Sequence, residues 1–247
     1  MHIEKYHASL NDFIIIEQEN FISDKYIYLL TNRHSSIGAD GIIIYNHNTK
    51  EVSFYNYDGS RASLCLNGLR CLSLYVVRNY GVNDVLVFKV NNAYYQALIK
   101  SLDPFKVKIK LDHNNFTLKQ INDYKNLSSY PIGLVNIGNK HAVIIVDNYN
   151  NDFINDVLKY DEFKNVNINL VTILDKKNIL IKTYERGVGF TTSCGSGSFS
   201  SVLYLNSLSL VDEIVNVKND FDTLTINLKD YSLKGNAHFV CEVEYDI

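Results

Sequence analysis

Two stretches of this chain repeat each other around a cysteine. Cys65-Leu66-Asn67-Gly68 and Cys194-Gly195-Ser196-Gly197 each run on into apolar and small residues, with glycine three positions after the cysteine and tyrosine, Tyr75 or Tyr204, ten after it. The cysteines stand 129 positions apart (194 − 65) in a chain of 247 residues. A period that halves the chain points to a duplicated domain with one cysteine per copy. Two thiols related in this way are expected at one cleft, working on opposite faces of a single carbon.

The pattern between the repeats is mostly strand. Runs at Phe13 to Glu17, Gly41 to Tyr45, Val52 to Tyr57, Val85 to Val90, Tyr94 to Lys100 and Val107 to Leu111 alternate or carry β-branched residues, separated by Asn, Asp and Gly turns. A second set follows at Ile132 to Ile137, His141 to Val146, Asn167 to Leu174, Ile179 to Tyr184, Glu213 to Val217, Thr223 to Leu228 and Ala237 to Tyr245. Amphipathic patterns predict surface helices over Ser23 to Arg33 and Asp152 to Phe163. The segments after the two cysteines, 66 to 79 and 195 to 208, are apolar or small nearly all round and read as buried helices. The expected fold class is α+β: two pseudo-symmetric domains, each a mostly antiparallel curled sheet or barrel around a central helix. The polar, Asn-rich stretch Asp112 to Tyr130 marks the boundary, giving domains 1–112 and 113–236, with a last strand at about 237–247 returning to the first.

Composition narrows the partner. Net charge is −3 with charges scattered, so no basic face points to nucleic acid. No apolar run approaches the roughly 20 residues of a membrane span, and the first residues lack a leader pattern. A soluble cytoplasmic protein acting on a small polar ligand is expected. Four cysteines are too few for a disulfide framework and match no zinc spacing, while His2, His7, His34, His47, His113 and His238 form no ligand-spaced cluster. No metal is expected.

A helix N-terminus leaves N–H groups without intrahelical partners, which favours anions and thiolates. Cys65, at the start of one buried helix with Gly68 allowing close approach, and Cys194, at the start of the other, meet that description. Around Cys194 the run Glu185-Arg186-Gly187-Val188-Gly189 adds an acid–base pair at a strand end, and Cys-Gly-Ser-Gly offers backbone donors for a carboxylate or phosphate. Cys71, inside the helical run, and Cys241, in an apolar strand, read as packing residues. His141 begins a strand after the Asn139 loop and either orients the site or serves the structure. No phosphate-loop or dinucleotide fingerprint appears.

Over nearly its whole length the chain resembles the diaminopimelate epimerases. The resemblance rests on Asn11-Asp12-Phe13, Gly38-Ala39-Asp40-Gly41, Asn56-Tyr57-Asp58-Gly59-Ser60, Cys65 to Cys71, Gly138-Asn139-Lys140-His141, Asn167, Glu185 to Gly189, and Cys194 to Gly197. It implies an amino-acid epimerase that needs no pyridoxal phosphate or other cofactor, interconverts LL- and meso-diaminopimelate, and works as a homodimer. By the same resemblance Cys65 and Cys194 are the thiolate base and thiol acid. Asn11, Asn67, Gly68, Gly195 and Ser196 would meet the reacting end of the substrate, and Asn56, Asn139, Asn167, Glu185 and Arg186 the distal end. Leu10 and Leu66 stand where the family has glycine, Lys140 where it has proline and Phe190 where it has glutamate. These bulkier residues motivate an alternative, a related two-cysteine racemase of another amino acid such as histidine.

Overall fold

The computed structural model describes residues 1–17, 24–114, 116–148 and 152–245. Cα packing divides the chain into two compact units, Met1–Asp112 with Lys234–Ile247, and His113–Leu233. The first contains β1 (His2–Ala8), β2 (Asn11–Glu17), α1 (Asp24–Thr31), β3 (Gly41–Tyr45), β4 (Glu51–Asn56), β5 (Arg61–Ala62), α2 (Leu66–Tyr80), β6 (Val85–Val90), β7 (Ala93–Leu102) and β8 (Phe105–Lys110). The second contains β9 (Thr117–Ile121), β10 (Ile132–Asn136), β11 (Lys140–Ile145), α3 (Phe153–Val157), α4 (Asp161–Lys164), β12 (Asn167–Asp175), β13 (Asn178–Glu185), β14 (Gly189–Thr191), α5 (Gly195–Ser207), β15 (Ile214–Lys218) and β16 (Thr223–Asn227). β17 (Ser232–Asn236) follows, and β18 (His238–Glu244) pairs antiparallel with β1.

Each unit is wired in the same way. In the first, β1 pairs antiparallel with β2 and β18; β2 runs parallel to β3; β3 runs antiparallel to β4; and β4 takes β5 antiparallel and β6 parallel. In the second, β10 pairs antiparallel with β11 and β9; β11 runs parallel to β12; β12 runs antiparallel to β13; and β13 takes β14 antiparallel and β15 parallel. Each half of the chain thus forms the same mostly antiparallel sheet. Its order puts three strand ends together: the starts of the parallel pair and the end of the next antiparallel strand.

The sheets are covered on both faces, which explains their apolar strands. Phe13 to Ile16 is a continuous buried run because a strand between two helices has no solvent side. Ile14, Ile16 and Ile42 pack with Ile27 and Leu30 of α1. The other face carries α2, against β1, β2, β7, β8 and β18. In the second unit Ala142, Ile144, Ile168 and Leu170 pack with Ile154, Val157 and Phe163 of α3 and α4. There α5 lies against β10, β11, β12 and β16. Each such apolar side chain contributes about 1.5–3 kcal/mol relative to exposure.

α2 and α5 are buried over most of their length, as the sequence pattern requires. Three expectations need correction. Asp152 to Phe163 is not one helix but two, because Tyr160 is extended (φ −97, ψ 125) and restarts the chain so that Phe163 enters the core fully buried. The polar stretch Asp112 to Tyr130 contains β9, whose side chains up to Gln120 are exposed, so no apolar alternation betrayed it. The helix expected to run to Arg33 ends at Thr31, whose hydroxyl donates to the Ile27 carbonyl. Ser23, and Asp246 and Ile247 of the expected return strand, lie outside the described residues.

Candidate active site

Cys65 is the N-cap of α2 and Cys194 the N-cap of α5, both in extended conformation. Each sulfur accepts from the backbone N–H three residues on, Gly68 N at 3.2 Å and Gly197 N at 3.4 Å. The glycines are required by what lies behind them. A Cβ at Gly68 would come within 2.6 Å of Phe54 Cε1, and one at Gly197 would overlap Asn169 Oδ1. Cys65 is half-buried and Cys194 is buried; all four cysteines carry thiols rather than disulfides. Cys71 is fully buried, and burial pushes its thiol far up, as suits a packing residue.

Around Cys65 the polar side chains form one chain of contacts. Arg70, fully buried, donates to Asn67 Oδ1 at 2.7 Å, to Ser9 Oγ at 3.0 Å and to the Asn236 carbonyl at 2.9 Å. Asn67 Nδ2 then donates to Asn11 Oδ1 at 3.2 Å, and Asn11 Nδ2 donates to Asp40 Oδ2 at 2.9 Å. A guanidinium only donates and a carboxylate only accepts, so the two ends of the chain fix both carboxamides. The result is a carbonyl oxygen, Asn11 Oδ1, 4.0 Å from Cys65 Sγ. Asp40 continues to Arg33 at 2.8 Å, and Arg33 grips Asp12 with two hydrogen bonds at 2.9 and 2.7 Å. Lys5 joins Asp12 at 2.9 Å. Burial alone would raise the Asp12 carboxyl, but Arg33 and Lys5 prevail and hold it down at about 2.

Around Cys194 the polar chain contains no buried ion. Asn169 Nδ2 donates to the Ala142 carbonyl at 3.4 Å and lies 3.1 Å from His141 Nδ1. An amide nitrogen cannot accept, so Nδ1 is the acceptor and the ring proton sits on Nε2. That N–H donates to Ser196 Oγ at 3.0 Å, and Ser196 Oγ lies 3.4 Å from Cys194 Sγ. His141 is fully buried, and burial pushes it down to about 3, so the imidazole is neutral. The alternation of β12 turns Asn167 and Asn169 to one face, with Ile168 and Leu170 in the core on the other.

The other expected site residues fall at the same sheet ends. Asn56 closes its own turn, donating its side-chain amide to the Ser60 hydroxyl at 2.9 Å and its backbone N–H to the Ser60 carbonyl at 2.8 Å, and is exposed. Asn167 Oδ1 accepts from the Arg186 backbone N–H at 3.0 Å, and Glu185 Oε1 accepts from Thr191 at 2.8 Å. Asn139 precedes β11, whose His141 stands opposite Asn167. Gly195 and Ser196 are buried in the first turn of α5. Thus Asn11, Asn67 and Gly68 gather at Cys65, Gly195 and Ser196 at Cys194, and Asn167 with Glu185 and Arg186 at the β12–β13 end. Of the substituted positions, Leu66 is buried, Phe190 packs edge-on against Tyr184, Lys140 is exposed and Leu10 is 46% exposed.

Sequence reasoning assigned nothing to Arg70 or Asn169. Arg70 stood in the quoted motif without a role, and Asn169 announced itself only through strand alternation.

A family model described as diaminopimelate epimerase matches residues 133–240. Over 99% of its length the chain is 30% identical to the diaminopimelate epimerase of Clostridium perfringens, covering 99% of that protein. To the one from a Hydrogenobaculum species it is 31% identical, with both chains covered completely. The chain belongs to the diaminopimelate epimerase family. Among solved structures it resembles a Bacillus anthracis phenazine biosynthesis protein of the PhzF family, at a TM-score of 0.76, with 15% identity and 100% and 99% of the chains covered. It also resembles a hydroxyproline epimerase from Agrobacterium vitis, at 0.73, with 10% identity and 98% and 90% covered. Those likenesses show the fold that the family shares with such proteins. No helix among the described residues is long and apolar enough to cross a membrane.

Proposed function

We propose that this chain, an isomerase of the diaminopimelate epimerase family, interconverts LL- and meso-diaminopimelate in the supply of lysine and peptidoglycan precursors. Cys65 and Cys194 are the acid–base pair. The observation that carries the reading is the paired one: each thiol caps a buried helix and accepts from that helix's third N–H.

The chemistry follows from what an α-proton requires. It is a weak acid, so its removal needs a base held in place and donors for the carboxylate as it takes on enolate character. The first-turn N–H groups of α2 and α5, at Asn67, Gly195 and Ser196, supply such donors. One sulfur, as thiolate, takes the α-proton; the other, as thiol, returns a proton to the opposite face. The carbon is inverted, the charge is conserved, and the two sulfurs have exchanged protonation. Asn11 orients the reacting end. Glu185 and Arg186, with Asn56, Asn139 and Asn167, take the distal ammonium and carboxylate, and an amino acid lacking that end leaves them unpaired. No cofactor enters this sequence. The assembly in this reading is a homodimer in the cytoplasm.

α-Proton exchange in deuterated buffer tests it, with LL-diaminopimelate, meso-diaminopimelate, histidine and glutamate compared on reduced protein. Exchange with inversion confined to diaminopimelate is expected, and Cys65→Ala or Cys194→Ala should each abolish it. Exchange with histidine alone would move the substrate, and full turnover in either alanine variant would remove the two-thiol assignment.

A further inference from the structure

Arg70 is a fully buried charge of the first unit that the proposed reaction leaves unused. A fully buried guanidinium is expensive to desolvate and is kept only where its donors are engaged. Here they reach three places at once: the Ser9 hydroxyl in the β1–β2 turn, the Asn236 carbonyl at the end of β17, and Asn67 Oδ1 one helical turn back in α2. The third contact matters for chemistry. A carboxamide has nearly the same shape either way round, so only its partners decide which atom faces the site. With Arg70 on Asn67 Oδ1, Asn67 must present its NH2 to Asn11, and Asn11 must present its oxygen toward Cys65.

We infer that Arg70 is a positioning residue for the Cys65 half of the site, setting the orientation of Asn67 and, through it, Asn11. The inference deepens the function proposed above and rests on it for its kinetic arm only. Arg70 touches no reacting atom; it acts through two carboxamides. Its charge acts as well. The charged groups joined in this chain of contacts are Lys5 of β1, Asp12 of β2, Arg33 and Asp40 of the following loop, and Arg70 of α2; the buried Glu4 of β1 meets Asn79 and Arg78 at the other end of α2. Lys5 and Asp12 offset each other, and Arg33 and Asp40 are about half exposed and screened by water. Within that chain Arg70 is the buried charge that remains, and it favours an anion at the helix start. In the second unit the position 129 residues later is Phe199, fully buried and uncharged.

The test uses the full chain with Arg70→Met and Arg70→Lys. Two readouts are taken: steady-state kinetics with diaminopimelate, and iodoacetamide alkylation rates at Cys65 and Cys194 from peptide mass spectrometry. Arg70→Met should lower kcat by about 10- to 100-fold with KM within about threefold, as expected for a displaced site rather than lost binding. It should slow alkylation of Cys65 several-fold while Cys194 stays within about twofold. Arg70→Lys, which keeps the charge but not the fork, should recover the Cys65 alkylation rate and only part of kcat. Unchanged kcat in folded Arg70→Met overturns the inference. So do equal shifts at both cysteines, which mean a global structural role, and failure of both variants to fold. If the wild type does not turn over diaminopimelate, the function falls, and the alkylation rates still decide Arg70.

Discussion

The starts of α2 and α5 share a backbone frame but hold their cysteines by opposite means. In both, an extended cysteine caps the helix, accepts from the third N–H, and is backed by a glycine with no room for a Cβ. Behind Cys65 stands a buried guanidinium from the helix itself, acting through two carboxamides, and the group facing the sulfur is a carbonyl oxygen. Behind Cys194 stands a neutral histidine from a strand, acting through a hydroxyl. A duplicated backbone therefore fixes the thiols and the N–H groups, while the polar support can diverge. Two thiols that hold different protonation states in the proposed turnover have reason to sit in unlike surroundings.

The largest contrast should come from filling the two glycines. Gly197→Ala pushes against Asn169 Oδ1, which is buried and already accepts from Thr183 at 3.0 Å. Moving Asn169 releases His141 and so Ser196, and turnover should fall about 100-fold or more. Gly68→Ala pushes against the Phe54 ring, which is buried but bonded to nothing in the Cys65 chain. Both changes should cost about 1–3 kcal/mol in urea unfolding as overpacking. Turnover should separate them by at least about tenfold, and equal losses would mean that the Asn169 chain does not support Cys194.

How far the sequence foretold this contrast depends on the kind of signal. The helix starts at Leu66 and Gly195 were legible because a cysteine–glycine spacing repeats against an apolar run, and the core strands because Phe13-Ile14-Ile15-Ile16 leaves no solvent face. Arg70 was not legible as a support, since an arginine inside a helix normally reaches solvent, and only the tertiary fold brings Ser9 and the Asn236 carbonyl to it. Asn169 and His141 were half legible: period-2 alternation gives their face, but which polar group meets which follows from the parallel register His141↔Asn167. β9 escaped because an exposed strand carries no apolar pattern.

Acid should undo the two supports in sequence. His141 falls from 6.5 to about 3 on folding through burial, so the unfolded chain binds a proton below pH 6.5 that the folded chain refuses. Stability is complete above 6.5 and is lost as pH falls toward 3, by up to about 1.4 kcal/mol per unit. Asp12, 129 positions earlier, is instead held below its usual 3.8 by Arg33 and Lys5. Its contribution is complete above 3.8 and goes only between there and about 2. Urea unfolding at pH 7 and pH 5 should therefore show the wild type losing about 2 kcal/mol more than His141→Gln, while Asp12→Asn shows no extra slope in that window. A His141→Gln protein with the wild-type slope would place the titration elsewhere.

The smallest effect lies in the turns that precede the two polar chains. Ser9 and Leu10, between β1 and β2, both have positive φ, 55° and 66°. Consecutive left-handed residues suit the twist of a two-residue hairpin, but a leucine there strains against its own carbonyl by about 1–2 kcal/mol. Its side chain is 46% exposed and recovers little of that by packing. In the second unit the turn between β10 and β11 is one residue longer, Ile137 to Asn139, and its positive φ, 110°, falls on a glycine, Gly138. Leu10→Asn should therefore raise unfolding stability by about 1 kcal/mol without disturbing the Ala8↔Asn11 register that sets Asn11 beside Cys65. Turnover of diaminopimelate should stay within about threefold if the side chain only fills the turn, since the Asn11 carboxamide is oriented by Asn67 and Asp40 rather than by Leu10. A loss of stability in Leu10→Asn would show that the leucine is packed rather than strained, and a large rise in KM that the first unit uses its turn, as Asn139 is proposed to do in the second, to hold substrate.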